Sequence, residues 1–442
     1  MRRWLCGLLA LLLAATLFCC PALAYEPDFT VSSQAVYLEN LDTGLVLYEK
    51  NASQRMYPAS LTKIMTAILV LENVPDLDAA SVAYPLWIQN MLYGTDASLG
   101  GLIVGERLTI RQLLYSALVQ SGNESAMILA GYVGSGGNED FMPRDITRFV
   151  EMMNDKAKAL GCTGTHFTNP TGLHHQDHYS TACDLAIMGK YAMKNATFAE
   201  VVKNYAVNLG ATNKHDELWQ YSTNKMLYPS SPYYYAPIVG IKTGSTDEAG
   251  RCVVSQAEDG NYHYFCVVMG APVTAAEPYQ NFIETRQLYR WAFQNFSLRT
   301  LLEQGELMAE VPVKYSGDGK LAKLAVSADV VKLLQDEISL DSVLYSAEVP
   351  EWVEAPVAAG DKVGTLHIML MGEEIGTADL VATQDFSLSW IRKAIGTIGE
   401  LLSSPMAKVL FAVVVLAVVG YIIYMVRHNR KKRRRKYSNR NY

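Results

Sequence analysis

The sequence predicts an α+β fold: an antiparallel sheet joined to a helical subdomain, followed by a small β-rich domain and a C-terminal transmembrane helix. Three patterns along the 442 residues predict it. Strand-like text occupies residues 29–48, with a turn at Leu41-Asp42-Thr43-Gly44. Helical spacing of apolar residues then dominates from about Ser60 to Met193. Strands return at P-I-V-G-I-K-T, R-C-V-V-S-Q-A and Y-H-Y-F-C-V-V-M-G, before a last helix, N-F-I-E-T-R-Q-L-Y-R-W-A-F, ends near Asn295. That order suggests one domain whose first strand and last helix belong to the same layer structure. The chain is too long for one ordinary core, so a second folded unit is expected.

Taken in order, residues 1–24 begin with Arg2 and Arg3, run apolar and close on Ala22-Leu23-Ala24, the small-x-small pattern of a secretory signal peptide. A lipoprotein signal at Cys19 or Cys20 is disfavoured, because Phe18 stands where a small residue is wanted. Residues 25–297 form the first domain. Residues 298–386 change to short β-like runs with Gly turns, such as G-D-K-V-G-T-L-H-I-M-L-M-G, and form the second. Residues 387–408 place Ile391, Ile395, Ile398 and Leu402 at helical spacing, an amphipathic juxtamembrane segment suited either to the outer leaflet or to a linker. Residues 409–426 are eighteen residues without a charge, just long enough to cross a bilayer. Residues 427–442 carry nine Lys or Arg and no acid, so the positive-inside rule makes this tail cytoplasmic and the preceding chain extracytoplasmic.

The formal charge of −6 therefore misleads. Without the tail and the signal, 27 basic residues face 44 acidic ones, and an exported part at −17 argues against nucleic acid as a partner. Cys162, Cys183, Cys252 and Cys266 remain outside the signal and fit no zinc pattern. Cys252 and Cys266 flank a hairpin turn at 258–261 and leave two readings, a bridge or buried thiols, of which the second is preferred.

Chemistry enters at Y-P-A-S-L-T-K-I-M-T-A, residues 57–67. Ser60 and Lys63 are three apart at the head of a helix whose Leu61, Ile64, Met65 and Ile68 mark a buried stripe. A serine hydroxyl is a poor nucleophile until a base takes its proton. A lysine serves only when its amine is neutral, which burial promotes. The spacing alone is weak, since Ser222-Thr223-Asn224-Lys225 also matches it. Two further elements strengthen it: Ser121-Gly122-Asn123 between two helical patterns, and Lys242-Thr243-Gly244 at a strand end, followed by Ser245.

S-x-x-K, S-x-N and K-T-G in this order resemble the penicillin-recognising serine enzymes, whose fold is β-lactamase-like. The closer resemblance is to low-molecular-mass penicillin-binding proteins that are D-alanyl-D-alanine carboxypeptidases of serine peptidase family S11. It rests on P-A-S-L-T-K-I-M-T at 58–66, L-V-Q-S-G-N at 118–123, H-F-T-N-P-T-G-L at 166–173, Y-S-T-A-C-D-L-A at 179–186 and G-I-K-T-G-S-T-D-E-A-G at 240–250. The resemblance implies that Ser60 is acylated by the penultimate D-Ala of a peptidoglycan stem peptide ending in D-Ala-D-Ala, and by β-lactam antibiotics. It implies Lys63 as the base and Ser121 as proton relay to the leaving amine. Asn123, Lys242, Thr243, Gly244 and Ser245 would bind substrate, with the Ser60 and Ser245 N–H groups forming the oxyanion hole. It implies no metal and no cofactor, and an enzyme acting outside a bacterial cell; the single pass in the cell membrane, read from residues 409–426 and the basic tail, departs from relatives that are held by an amphipathic C-terminal helix alone.

The chain departs from this pattern at Cys183, where some relatives carry Arg, so a substrate contact is missing or supplied elsewhere. A β-lactamase-type hydrolase and a penicillin-sensing receptor share the three motifs; the short tail counts against a sensor with a folded cytoplasmic effector, and a catalytically silent scaffold is the remaining rival. His174, His175, Asp177 and His178 crowd one loop without the spacing of a zinc hydrolase. Tyr233-Tyr234-Tyr235 is read either as a ligand stack or as a loop packed on its own domain.

Overall fold

The computed structural model describes residues 26–438. The signal peptide assigned to residues 1–24 lies outside them, as do tail residues 439–442. The chain divides into two compact units, one ending at Phe296 and one beginning at Ser297.

The first unit is built on a five-stranded antiparallel sheet in the order β2-β1-β9-β8-β7. Its strands are β1 (Ala35–Asn40), β2 (Val46–Lys50), β7 (Ile238–Thr246), β8 (Gly250–Asp259) and β9 (Tyr262–Ala271). Leu38 lies opposite Cys266, so the first strand pairs with one more than 200 residues downstream. The strand-like pattern begins six residues too early. Ser32 and Ser33 instead give their N–H groups to the Glu284 carboxylate, at 2.6 and 3.1 Å, with both hydroxyls bonded to the same group. That clasp on the last helix diverts the backbone from a sheet partner.

Between β2 and β7 run α1 (Lys63–Asn73), β3 (Ser81–Ala83), α2 (Leu86–Leu92), β4 (Arg107–Thr109), α3 (Ile110–Leu118), α4 (Asn123–Gly134), α5 (Pro143–Ala159), α6 (Ala182–Met193), α7 (Ala196–Val202), β5 (Ala206–Asn208) and β6 (Trp219–Tyr221). Residues Lys63 to Val70 of α1 are all buried, so it is the central helix of this subdomain rather than an amphipathic surface one. A capping box starts α3: Thr109 Oγ1 accepts from Gln112 N at 3.2 Å, and Gln112 Oε1 accepts from Thr109 N at 2.8 Å. This fixes where α3 starts and so helps set where it ends, at the corner that carries Ser121. The closing helix, α8 (Gln280–Asn295), packs on β8 and β9.

In the second unit β10 (Phe296–Leu302) pairs with β13 (Val330–Gln335). A six-stranded sheet has the order β14-β16-β17-β12-β11-β15. It comprises β11 (Leu307–Lys314), β12 (Leu321–Val326), β14 (Val343–Glu348), β15 (Val353–Glu354), β16 (Lys362–Leu370) and β17 (Glu373–Ala382). The helix α9 (Trp390–Ser403) is capped by Ser389 and tied to this sheet unit by Arg392, which donates to Ser316 O at 2.7 Å, and by Tyr315, whose hydroxyl donates to Glu400 at 3.1 Å. Trp390, Ile391, Ile395, Ile398 and Leu401 stay exposed. The last helix, α10 (Pro405–Ser438), contains a stretch, Pro405–Arg430, long and apolar enough to cross a membrane, with a mean hydropathy of 2.8 over its most apolar 18-residue window.

Candidate active site

Ser60 does not sit in α1 itself. It lies in the 3-10 turn Ala59–Thr62 that feeds the helix, and Lys63 is the residue at which the turn becomes α-helical. The correction tightens the pair, because residues three apart eclipse one another in a 3-10 turn. Ala59 holds φ +47, a left-handed conformation for a residue with a Cβ, which costs about 1–3 kcal/mol and is sustained by its surroundings. Two close approaches sustain it. A Cβ on Gly172 would lie 1.8 Å from Ala59 O, and one on Gly244 would lie 2.8 Å from Pro58 O and 3.1 Å from Ser60 N. The loop after α5 and strand β7 therefore press on the Ser60 turn from two sides, and glycine is required at both contacts.

Lys63 is fully buried, and its Nζ lies 2.8 Å from Ser60 Oγ, 2.6 Å from Asn123 Oδ1 and 2.8 Å from Thr171 O. Burial drives its ammonium well below the ordinary lysine range; the charge of Lys242 pushes the same way and Glu124 opposes. A neutral amine has two N–H groups and one lone pair. Two of its three neighbours are carbonyl oxygens, which can only accept. As an ammonium, Lys63 donates to all three; in its neutral form the two N–H groups stay with Asn123 and Thr171 and the lone pair faces the Ser60 hydroxyl, the one neighbour able to donate. The polarity of the Ser60–Lys63 contact is thus set by its partners.

The corner between α3 and α4 carries Ser121 as well as Asn123. Ser121 is buried at φ +66, two residues before Asn123. Gly122 N donates to Ser116 O at 2.9 Å, and Asn123 N to Ser98 O at 2.8 Å, which pins the corner on both sides. Lys242 is buried on β7, and burial alone takes its ammonium down to about 7; its Nζ donates to Thr243 O at 2.9 Å. Gly244 abuts Ser60 as described, and Ser245 is exposed on the same strand. Because β7 is an edge strand of the sheet, its outer N–H and C=O groups are available to an extended ligand. Of the residues named from sequence, Ser60, Lys63 and Asn123 meet at the Lys63 amine and Gly244 meets the Ser60 backbone, so the three segments that carry positions 60–63, 121–123 and 242–245 converge.

Several neighbours escaped the sequence reading. Thr171 contributes only a carbonyl, which no side-chain pattern announces. Thr223, inside the rival S-x-x-K match, meets Thr243 hydroxyl to hydroxyl at 2.6 Å. The rival pair itself is structural: Ser222 Oγ accepts from Asn224 N, and Asn224 caps a 3-10 turn containing Lys225. Glu124 is buried beside the corner and accepts from Gly100 N at 2.6 Å, and burial raises its carboxyl above the usual range.

His178 faces inward. Thr62 Oγ1 donates to Ala59 O at 2.8 Å, so His178 Nε2, 2.7 Å from the same hydroxyl, must donate to it. Its Nδ1 then accepts from Thr168 N at 3.0 Å, a fully assigned neutral imidazole. His174 leaves the cluster toward Tyr57 and Glu248. Among the described residues no group of three or more His, Cys, Asp or Glu is arranged around a metal position. Tyr233 bonds Glu277 at 3.0 Å and Tyr235 stacks on Tyr289 at 6.3 Å, so these rings pack on their own unit. The four cysteines among the described residues are free thiols, and Cys266 lies opposite Ser255, not Cys252.

An antiparallel sheet whose edge strand carries K-T-G, facing an S-x-x-K turn and an S-x-N corner across one cleft, defines a penicillin-recognising serine enzyme. The family model for D-alanyl-D-alanine carboxypeptidase, peptidase S11, matches residues 22–273, and that for the C-terminal domain of penicillin-binding protein 5 matches residues 296–387. The chain belongs to the S11 D-alanyl-D-alanine carboxypeptidase family. It is 30% identical over 373 residues to the D-alanyl-D-alanine carboxypeptidase DacF of Bacillus subtilis (strain 168), covering 83% of this chain and 89% of that protein. To DacA of Escherichia coli (strain K12) it is 28% identical over 364 residues, covering 80% and 84%. The solved structure of penicillin binding protein 5 from Haemophilus influenzae superposes with a TM-score of 0.61 at 26% identity, over 82% of this chain and all of that one.

Proposed function

We propose that this chain removes the terminal D-alanine from peptidoglycan stem pentapeptides through an acyl-enzyme on Ser60, and that penicillins acylate the same residue. The observation that carries the reading is the buried Lys63 amine 2.8 Å from Ser60 Oγ and also within hydrogen-bond distance of Asn123 Oδ1 and Thr171 O. Ser60 Oγ attacks the carbonyl of the penultimate D-Ala as its proton passes to Lys63. The oxyanion forms between the N–H groups of Ser60 and Ser245. Ser121 relays a proton to the leaving D-Ala amine. Water, deprotonated by Lys63, then attacks the ester and releases the shortened peptide.

Asn123, its Oδ1 held by Lys63, turns its amide N–H₂ toward the substrate amide. Thr243 bonds the terminal carboxylate, helped by the charge of Lys242, and Gly244 admits the substrate against β7. A metal has no step in this chemistry. On this reading the first 24 residues direct export. The Pro405–Arg430 stretch anchors the chain in the bacterial cell membrane with the basic tail inside and both folded units outside. The exposed apolar face of α9 lies along the outer leaflet.

The test is to incubate the soluble ectodomain and its Ser60→Ala variant with a D-Ala-D-Ala-terminated pentapeptide and assay free D-alanine. Release that depends on Ser60 is expected. Stable penicillin labelling without release would point to a sensor, and rapid penicillin turnover without release to a lactamase.

A further inference from the structure

The cleft continues past Ser245. There the turn after β7, residues 247–249, presents Asp247 and Glu248, both exposed. Glu248 lies 3.7 Å from His174 Nδ1, and the His174 ring meets Tyr57 edge-on at 4.7 Å. These side chains come from the segment that leads into the Ser60 turn and from the two segments that press on it. Tyr57 stands three residues before Ser60, His174 two residues after the glycine that abuts Ala59, and Glu248 three residues after Ser245. Thr246 Oγ1 accepts from Ala249 N at 3.0 Å, the Glu248 carboxylate accepts from the Thr246 hydroxyl and its own backbone N–H, and so held it stands beside His174.

Which part of a substrate arrives here follows from register, given the roles assigned above to Thr243 and Ser245. With the terminal carboxylate at Thr243 and the scissile carbonyl at Ser245, the peptide runs antiparallel to β7, its C-terminus toward the start of the strand. An extended chain advances about 3.3 Å per residue. The residue preceding the acylated D-Ala therefore lies abreast of Thr246 and Asp247. A long side chain there, about 6 Å from Cα to tip, reaches the space among Glu248, Tyr57 and His174.

We infer that Glu248, with Tyr57 beside it, reads the side chain of the third stem residue and selects one ending in an ammonium group. A carboxylate and an aromatic ring are the two protein groups that attract an ammonium ion. Asp247 adds negative charge on the same turn, and Lys242, the nearest cation on β7, points into the buried side of the cleft. His174 stands against Glu248 in the free protein and yields its place when the ammonium arrives. The specificity-determining residue is thus Glu248, with Tyr57 supplying the ring.

The inference rests on the proposed carboxypeptidase reading, and the experiment separates the two. Three peptides ending in X-D-Ala-D-Ala are compared, with X as L-lysine, Nε-acetyl-L-lysine or L-norleucine. Release of D-alanine from the norleucine peptide tests the reaction itself, since no charge is present. For the parent protein kcat/KM for the lysine peptide is expected to exceed that of the other two by about five- to tenfold. Glu248→Gln should erase that preference while leaving the acetyl-lysine and norleucine rates within about twofold, and Tyr57→Leu should reduce it in part. Glu248→Lys should invert it in favour of Nε-succinyl-L-lysine. Equal preference in the parent and Glu248→Gln proteins, or no preference in the parent, overturns the inference. Loss of all three activities in a folded Glu248→Gln protein would overturn it too, by making the residue part of the general machinery.

Discussion

Replacing Lys242 by methionine measures how much stability the cleft gives up to hold its charges. Lys242 is buried, and burial lowers its ammonium from 10.5 to about 7. In the unfolded chain the group titrates at its ordinary value, so the folded state binds fewer protons between pH 7 and 10.5 and gains stability as pH rises through that window. Below about pH 7 the full penalty applies. A gap of about 3.5 units at about 1.36 kcal/mol each gives roughly 4–5 kcal/mol as an upper figure. Methionine fills much of the same volume and cannot be charged. Lys242→Met is therefore expected to be more stable than the parent at about pH 6, with the advantage shrinking by roughly 4 kcal/mol on going to about pH 10. Urea unfolding of the chain ending before α10, followed by tryptophan fluorescence at both pH values, reads this difference. A parent-to-variant gap that is the same at both ends of the range would refute the idea that burial of the ammonium causes it.

Three further outcomes follow from the same geometry. Lys63→Met should slow penicillin labelling of Ser60 by about 10²–10⁴-fold without unfolding the protein, read by fluorescent-penicillin gels against circular dichroism. Gly172→Ala places a Cβ 1.8 Å from Ala59 O at φ +85, so labelling should drop at least about tenfold and the melt should lose about 2–4 kcal/mol; a neutral result would show that the loop is free to move. His178 is held neutral with its pKa lowered to about 3 by burial, so the stability it supports at neutral pH is lost as pH falls from about 6.5 toward 3. His178→Asn should flatten that acid-side slope in denaturation profiles between about pH 7 and pH 4.

The sequence carried the three motifs because each is local: a turn, a corner and a strand end, with the chemistry in side chains a few residues apart. Their meeting is non-local, and what completes the site was correspondingly invisible. Thr171 acts through its carbonyl, so residue type said nothing. Thr223 sat inside a match set aside as chance, and it reaches Thr243 only because the loop after β6 crosses the edge of β7. The sequence also placed Ser60 on an α-helix. The positive φ at Ala59 is enforced by Gly172 and Gly244 from far along the chain, and such tertiary override of local propensity leaves no periodic trace. The early strand failed for a similar reason: Glu284, some 250 residues away, offered Ser32 and Ser33 better partners than a neighbouring strand.

The pairing of Leu38 with Cys266 also bears on how the molecule comes to exist. The second strand in the sheet order is nearly the first to be synthesised, yet its inner neighbour is almost the last part of the unit to emerge. Until β9 arrives, β1 and β2 have only each other, and an isolated hairpin is marginal in water. The Ser60 turn cannot be clamped by β7 any earlier. A chain with such distant contacts folds late and slowly, and the turn carrying Ser60 takes its final shape only when the whole unit is present.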